Sequence, residues 1–311
     1  MKFVQSIIQH LFSSLLTIAL FLSQCSHPSQ NNSNSTNTNT ILTPTEGEYN
    51  LEGEGANEEE IIIPWEVETP FLLTYKIIAT YPHDKEAFTQ GLYYQNGLIY
   101  ESTGLWEKSS VRIVDLYTGT IILKRELPSN YNGITFSNLF GEGLALIDSE
   151  LYQLTWQNNV CFVYDSTDLS LKRIHRYDGE GWGLTYDGIF LIRSDGTNTL
   201  YFHYPENFES SHSINVFENS NPIKKLNELE YIEGYICANV WQTNYIVVID
   251  PQTGNVVGKI LMDGLITQQN NPQADVLNGI AYIPERKTLL VTGKLWDTIF
   301  EIALVRTKRN Q

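Results

Sequence analysis

Cysteine is nearly absent: there are three in 311 residues, and none stands at a spacing that makes a zinc site or a disulfide framework. Cys161 and Cys237 each sit inside an apolar, strand-like run and are expected as buried free thiols. Positive charge is scarce as well. The 20 Lys+Arg stand against 36 Asp+Glu, a net charge of -16. That balance argues against a nucleic-acid or anionic-membrane surface and suits cationic ligands such as free amino termini. A helical period of any length is missing, which points away from mixed or helical folds. No His or Asp cluster marks a catalytic metal, so neither a metal nor any other cofactor is expected.

What is present begins with an export segment. Lys2 precedes an apolar run over residues 11–23, long enough for a signal-peptide core and too short for a comfortable membrane span. Its end, Leu22-Ser23-Gln24-Cys25, resembles the lipobox of bacterial lipoproteins, with Gln24 in place of the usual small residue. Lipidation of Cys25, and through it a membrane tether, is the expectation. The location expected is the periplasm or cell envelope. Residues 26–40 are almost wholly Ser, Asn, Thr and Gln and residues 46–60 are acidic, a composition that cannot bury enough apolar surface to offset chain entropy. The domain plan is a signal segment over 1–25, a polar and acidic linker over 26–69, a folded domain over 70–305 and a tail over 306–311.

Within the folded part, short runs of Val, Ile, Leu, Tyr and Phe alternate with turns such as Asp250-Pro251-Gln252-Thr253-Gly254. One phrase returns five times: Phe88-Thr89-Gln90-Gly91-Leu92, Phe140-Gly141-Glu142-Gly143-Leu144, Gly181-Trp182-Gly183-Leu184, Asn227-Glu228-Leu229 and Asn278-Gly279-Ile280. The closing Leu or Ile recurs at steps of about 40–50 residues, the length of a propeller blade. The same succession of strands follows each mark, except that the last period stops after its third strand at residues 300–304. Residues 72–81 read as the missing fourth. The expected fold class is therefore all-β: a five-bladed β-propeller whose ring is closed by the N-terminal strand pairing in the last blade.

The first strand of a propeller blade lines the central axis. Gln90, Glu142, Trp182, Asn227 and Asn278, each two residues before its mark, are thus predicted to ring one mouth of the channel. Trp156 and Trp241, each about a dozen residues past its mark, and Lys294 from the last period form a second set beside them. Three indoles, a carboxylate, an ammonium and several amides suit a small polar ligand with an apolar stem, and indole faces attract a cation. A single acid on the ring disfavours the paired-carboxylate chemistry of glycosidases. Asn278 is read as structural, capping the turn before its strand. Residues 131–139 lengthen the first period and read as an insertion beside the mouth.

Six ordered motifs resemble the plant and bacterial glutaminyl-peptide cyclotransferases. They are residues 88–92, 141–144, 179–184, 226–230 with Ala238-Asn239-Val240-Trp241, 276–281 and 291–296. The resemblance implies a five-bladed propeller that converts the N-terminal glutamine of peptides or proteins to pyroglutamate with release of ammonia. It also implies independence from metal, unlike the animal enzymes, which are zinc-dependent α/β proteins. Carried over by position, it makes Glu142 the acid/base, with Phe88, Gln90, Phe140, Trp156, Trp182, Asn227, Trp241 and Lys294 forming the pocket. A monomer is expected. A non-catalytic propeller that binds peptide termini and a lactonase-like, metal-dependent propeller hydrolase are the competing classes, and neither accounts for the ordered motifs.

Overall fold

The computed structural model describes residues 61–62 and 69–306. The expected signal segment, Cys25 and most of the linker lie outside the described residues. The first long strand is β1 (Phe71–Pro82). Strands β2 (Thr89–Gln95), β3 (Leu98–Thr103), β4 (Ser110–Asp115) and β5 (Ile121–Glu126) then form an antiparallel sheet in sequence order. Two further four-stranded sheets repeat the pattern. One holds β6 (Gly141–Ile147), β7 (Glu150–Thr155), β8 (Val160–Asp165) and β9 (Leu171–Arg176). The other holds β10 (Leu184–Tyr186), β11 (Leu191–Ser194), β12 (Thr199–His203) and β13 (Ser210–Asn215).

Apart from two short hairpins at 130–135 and 217–222, the seven remaining strands join in one sheet. They are β14 (Leu226–Ile232), β15 (Tyr235–Val240), β16 (Tyr245–Ile249), β17 (Val256–Leu261), β18 (Leu277–Ile283), β19 (Thr288–Gly293) and β20 (Thr298–Arg306), with β1 between β17 and β20. The N-terminal strand does pair antiparallel with β20, from Leu73 opposite Arg306 to Pro82 opposite Thr298. Its first residues also pair in parallel with β17, Phe71 to Leu73 against Gly258 to Ile260. Because β1 overhangs its partner, it covers the outer edge of β17, which would otherwise present unpaired backbone groups. Ile61 and Ile62 pair with Val305 and Leu304, so ordered pairing reaches back beyond residue 70.

Burial explains the apolar runs. The first three strands of each set are mostly buried along their length, as in Val160–Asp165, whereas fourth strands such as Ile121–Glu126 and Ser210–Asn215 are largely exposed. A sheet covered on both faces reads as a continuous hydrophobic run instead of an alternating one. One core cluster lies within the large sheet, between its two arms, and the other four each draw on two neighbouring sheets. Val111 and Ile113 pack with Leu144, Leu146 and Phe162, and Leu92 and Ile99 pack with Ala281, Leu290 and Ile299. Cys161 and Cys237 are free and buried. The turn Asn96-Gly97 between β2 and β3 has both φ angles positive, 50° and 81°, as a tight primed hairpin turn requires.

The lead strands β2, β6, β10, β14 and β18 touch one another in succession, and β18 touches β2. The fold is all-β and propeller-like. The glycine before the mark permits this approach. A Cβ on Gly91 would lie 2.5 Å from the Leu144 nitrogen, and Cβ atoms on Gly143 and Gly183 would overlap the Leu184 nitrogen and the Asn227 carbonyl. In the fourth set Glu228 replaces that glycine. Its buried carboxylate accepts the N–H of Leu92 at 3.2 Å and of Ile280 at 2.9 Å, tying β14 to β2 and β18 across the axis. Gly183→Ala is expected to destabilise the protein by about 1–3 kcal/mol, the cost of overpacking against backbone that cannot retreat. A lowered urea midpoint at an unchanged slope would show it.

Candidate active site

The ring residues meet at one end of the lead strands. Gln90 Nε2 donates to Glu142 Oε1 at 3.0 Å. Asn278 Nδ2 donates to Gln90 Oε1 at 3.1 Å and to the Thr89 carbonyl at 2.9 Å. With its oxygen engaged by Asn278, the Gln90 amide can only turn its N–H toward Glu142, so the carboxylate is held from one side. Glu142 is 5% exposed. Burial pushes its carboxyl well above the usual carboxylate range, Lys294 pulls against that rise, and the charge of Glu180 adds to it.

Lys294, also 5% exposed, follows β19 and places its Nζ 4.7 Å from the Phe88 ring centroid. Burial draws its ammonium below the ordinary lysine value, opposed by Glu142 and Asp275. The two groups are a buried pair that each stabilise the other's charge. Asn227 lies buried on β14, and its Oδ1 has no hydrogen-bond partner among the described residues. A buried acceptor without a donor costs free energy unless a ligand or solvent satisfies it.

Aromatic rings wall the site. Phe88 packs edge-on against Phe140 at 6.0 Å, Phe140 against Trp156 at 5.9 Å, and Trp182 against Trp241 at 5.8 Å. Trp106, 54% exposed, joins the rim at 5.2 Å from Phe140 and 6.0 Å from Trp156. Phe88 is set by the segment before β2. There His83 bridges the Trp296 carbonyl at 2.8 Å and Glu101 at 3.0 Å, while Thr89 Oγ1 donates to the same carboxylate at 2.8 Å.

The two halves of the wall are joined by Glu180. Its Oε2 accepts the indole N–H of Trp156 at 2.7 Å and of Trp182 at 2.9 Å, and its Oε1 accepts Gln157 Nε2 at 2.9 Å. Arg193 of β11 holds the backbone beneath, donating to the carbonyls of Glu180 and Asp178 while stacking near Tyr177 and Tyr201. Removing the negative charge while keeping the shape, Glu180→Gln, is expected to lower kcat/KM about 10-fold through the weakened indole contacts. It should also move the acid limb of the pH–rate profile downward, because Glu180 is one of the causes that raise the Glu142 carboxyl. An unmoved limb would count against that coupling.

Of the positions named from sequence, Gln90 contacts Glu142, Lys294 and Phe140 contact Phe88, Trp156 contacts Phe140, and Trp182 contacts Trp241, while Asn227 sits at the matching register of β14. Asn278, within β18, orients Gln90 and caps no turn. Sequence reasoning missed Glu180 and Trp106. The first had a signal, since Gly179-Glu180-Gly181 repeats the Gly141-Glu142-Gly143 pattern. The second lies in the loop between β3 and β4, with no counterpart in other repeats. Among the described residues no three His, Cys, Asp or Glu side chains are grouped to hold a metal ion.

This geometry defines a class: a propeller-like protein whose axial mouth presents one buried carboxylate beside one buried ammonium inside an aromatic wall. Comparison with known proteins agrees. The glutamine cyclotransferase family model matches residues 53–304. A glutaminyl-peptide cyclotransferase of Arabidopsis thaliana is 42% identical over 234 residues, 74% of this chain and 71% of that protein. The crystal structure of Myxococcus xanthus glutaminyl cyclase superposes with a TM-score of 0.69 at 38% identity, covering 77% of this chain and 100% of that one. The chain belongs to the glutamine cyclotransferase family.

Proposed function

We propose that this chain cyclises the N-terminal glutamine of peptides and proteins to pyroglutamate, releasing ammonia, with Glu142 as the only proton carrier. The observation that supports this most is the buried carboxylate with one oxygen held by Gln90 and Lys294 alongside. Chemically, the α-amine nitrogen attacks the γ-carbonyl carbon, the new C–N bond closes a five-membered lactam, and the bond to the side-chain nitrogen breaks. The attacking amine loses one proton and the departing nitrogen gains one. A carboxylate between them performs both transfers with no net change in itself. With an amine pKa of about 7.7–8.0, the neutral nucleophile is available near neutral pH.

Ring closure is intramolecular, so holding the bent conformer supplies much of the rate, and the aromatic wall formed by Phe88, Phe140, Trp156, Trp182 and Trp241 has that role. Lys294 stabilises the oxygen that gains negative charge, and Asn227 Oδ1 accepts an N–H of the substrate. The four-stranded sets are read as five blades, with β1 completing the last. Residues 1–25 are read as an export segment ending in a lipidated Cys25, which would place the enzyme at the cell envelope. The reaction needs no metal on this account. Turnover in heavy-oxygen water with a strong chelator present is the test: cyclisation puts no solvent oxygen into the product and survives chelation, whereas a metal-dependent hydrolase does the reverse.

A further inference from the structure

The axis has a second mouth. On each lead strand a first-site residue is followed, a few positions on, by a residue at the opposite end. Gln90 is followed by Tyr93 and Tyr94, Asn227 by Glu230 and Tyr231, and Asn278 by Tyr282. With Tyr186 of β10, these line a cavity of ≈170 Å³. The hydrogen bonds from the Leu92 and Ile280 N–H groups to the Glu228 carboxylate cross the axis between the two ends.

Glu230 is buried in this cavity and accepts the Tyr282 N–H at 3.0 Å. The titratable groups facing it are Glu228 of its own strand, Cys237 of β15, and Tyr93, Tyr94, Tyr186, Tyr231 and Tyr282 from the surrounding lead strands. None of these is a cation. A carboxylate removed from water without a counter-charge is expensive, and burial pushes this one up to about 8, with only the Tyr282 N–H opposing the rise. We propose that this second mouth binds a small organic ammonium group, with the tyrosine rings around the cation and Glu230 as its counter-charge.

The chemistry selects that class. Aromatic rings with a carboxylate attract alkylammonium ions, whose charge is diffuse and whose surface is apolar. A hard divalent cation would demand six or more oxygen ligands, and no such group of acids exists among the described residues. The volume admits a headgroup, not a peptide. This site is separate from the one assigned to cyclisation, so its failure would leave that assignment standing.

Titration calorimetry of the purified protein at about pH 9, where Glu230 is largely ionised, tests it. The probes are choline and its uncharged isostere, in which carbon replaces the quaternary nitrogen. Choline is expected to bind wild type and Glu142→Gln alike, and about tenfold more weakly to Glu230→Gln. The isostere is expected to bind wild type about tenfold more weakly than choline. No choline binding, equal affinity for the isostere, or binding lost in Glu142→Gln and kept in Glu230→Gln would each overturn the proposal. If Glu230→Gln fails to fold, the choline and isostere comparison on wild type still decides.

Discussion

Glu142→Gln is expected to lower kcat for an N-terminal glutamine by about 10²- to 10⁴-fold, the range of a lost general acid–base group, while the folded structure persists. The substituted amide keeps the size of the side chain and still offers an oxygen to Gln90 Nε2, which donates to Glu142 Oε1 in the wild type. What disappears is the exchangeable proton, so KM should change little and kcat should collapse. The pH dependence follows with its sign. Glu142 must be ionised to accept the amine proton, and burial raises its carboxyl well above the ordinary range. Protonation of the substrate amine gives one fall in rate as pH drops; wild type adds a second, from Glu142, at a midpoint higher than a solvated carboxylate would give, and the variant's residual rate keeps only the amine's. Wild-type-like turnover in the variant would remove Glu142 from the mechanism.

Lys294→Met is the second large effect, with an expected loss of about 10²- to 10³-fold in kcat, the size seen when a preorganised donor to a developing oxyanion is removed. Methionine preserves an apolar stem beside Phe88, against whose ring the wild-type Nζ sits at 4.7 Å, so packing is largely spared. The variant should also shift the acid limb upward, because Lys294 is the group that opposes the rise of the Glu142 carboxyl. Glu180→Gln should shift it the other way. A generally disordered pocket would not move one limb in opposite directions for two neighbouring charges, so the pair of profiles separates electrostatic roles from lost structure.

The recurring Gly-Leu or Asn-Gly-Ile phrase was legible because it has a physical origin: lead strands approach so closely that Gly91, Gly143 and Gly183 leave no room for a Cβ. The pairing of β1 with β20 was legible because residues 72–81 carry the pattern of a fourth strand and the last repeat shows three. What sequence could not convey was contact between parts with no repeat relation. The parallel overhang of Phe71 to Leu73 on β17 depends on strand length and twist. Glu180 reads as a turn residue until Trp156, far away in sequence, donates its indole N–H to it. Trp106 belongs to one loop alone. Glu228 takes the glycine's place in the fourth phrase, and its bonds to Leu92 and Ile280 need the ring to be closed before they exist.

The most direct measurement of the central claim is ammonia release from a short peptide beginning with glutamine, followed together with the mass of the peptide product. The account predicts ammonia and product in equal amounts, the product lighter than the substrate by one ammonia, with an otherwise identical peptide carrying glutamine at its second position left unchanged. Folded protein that binds the peptide yet releases no ammonia would contradict it.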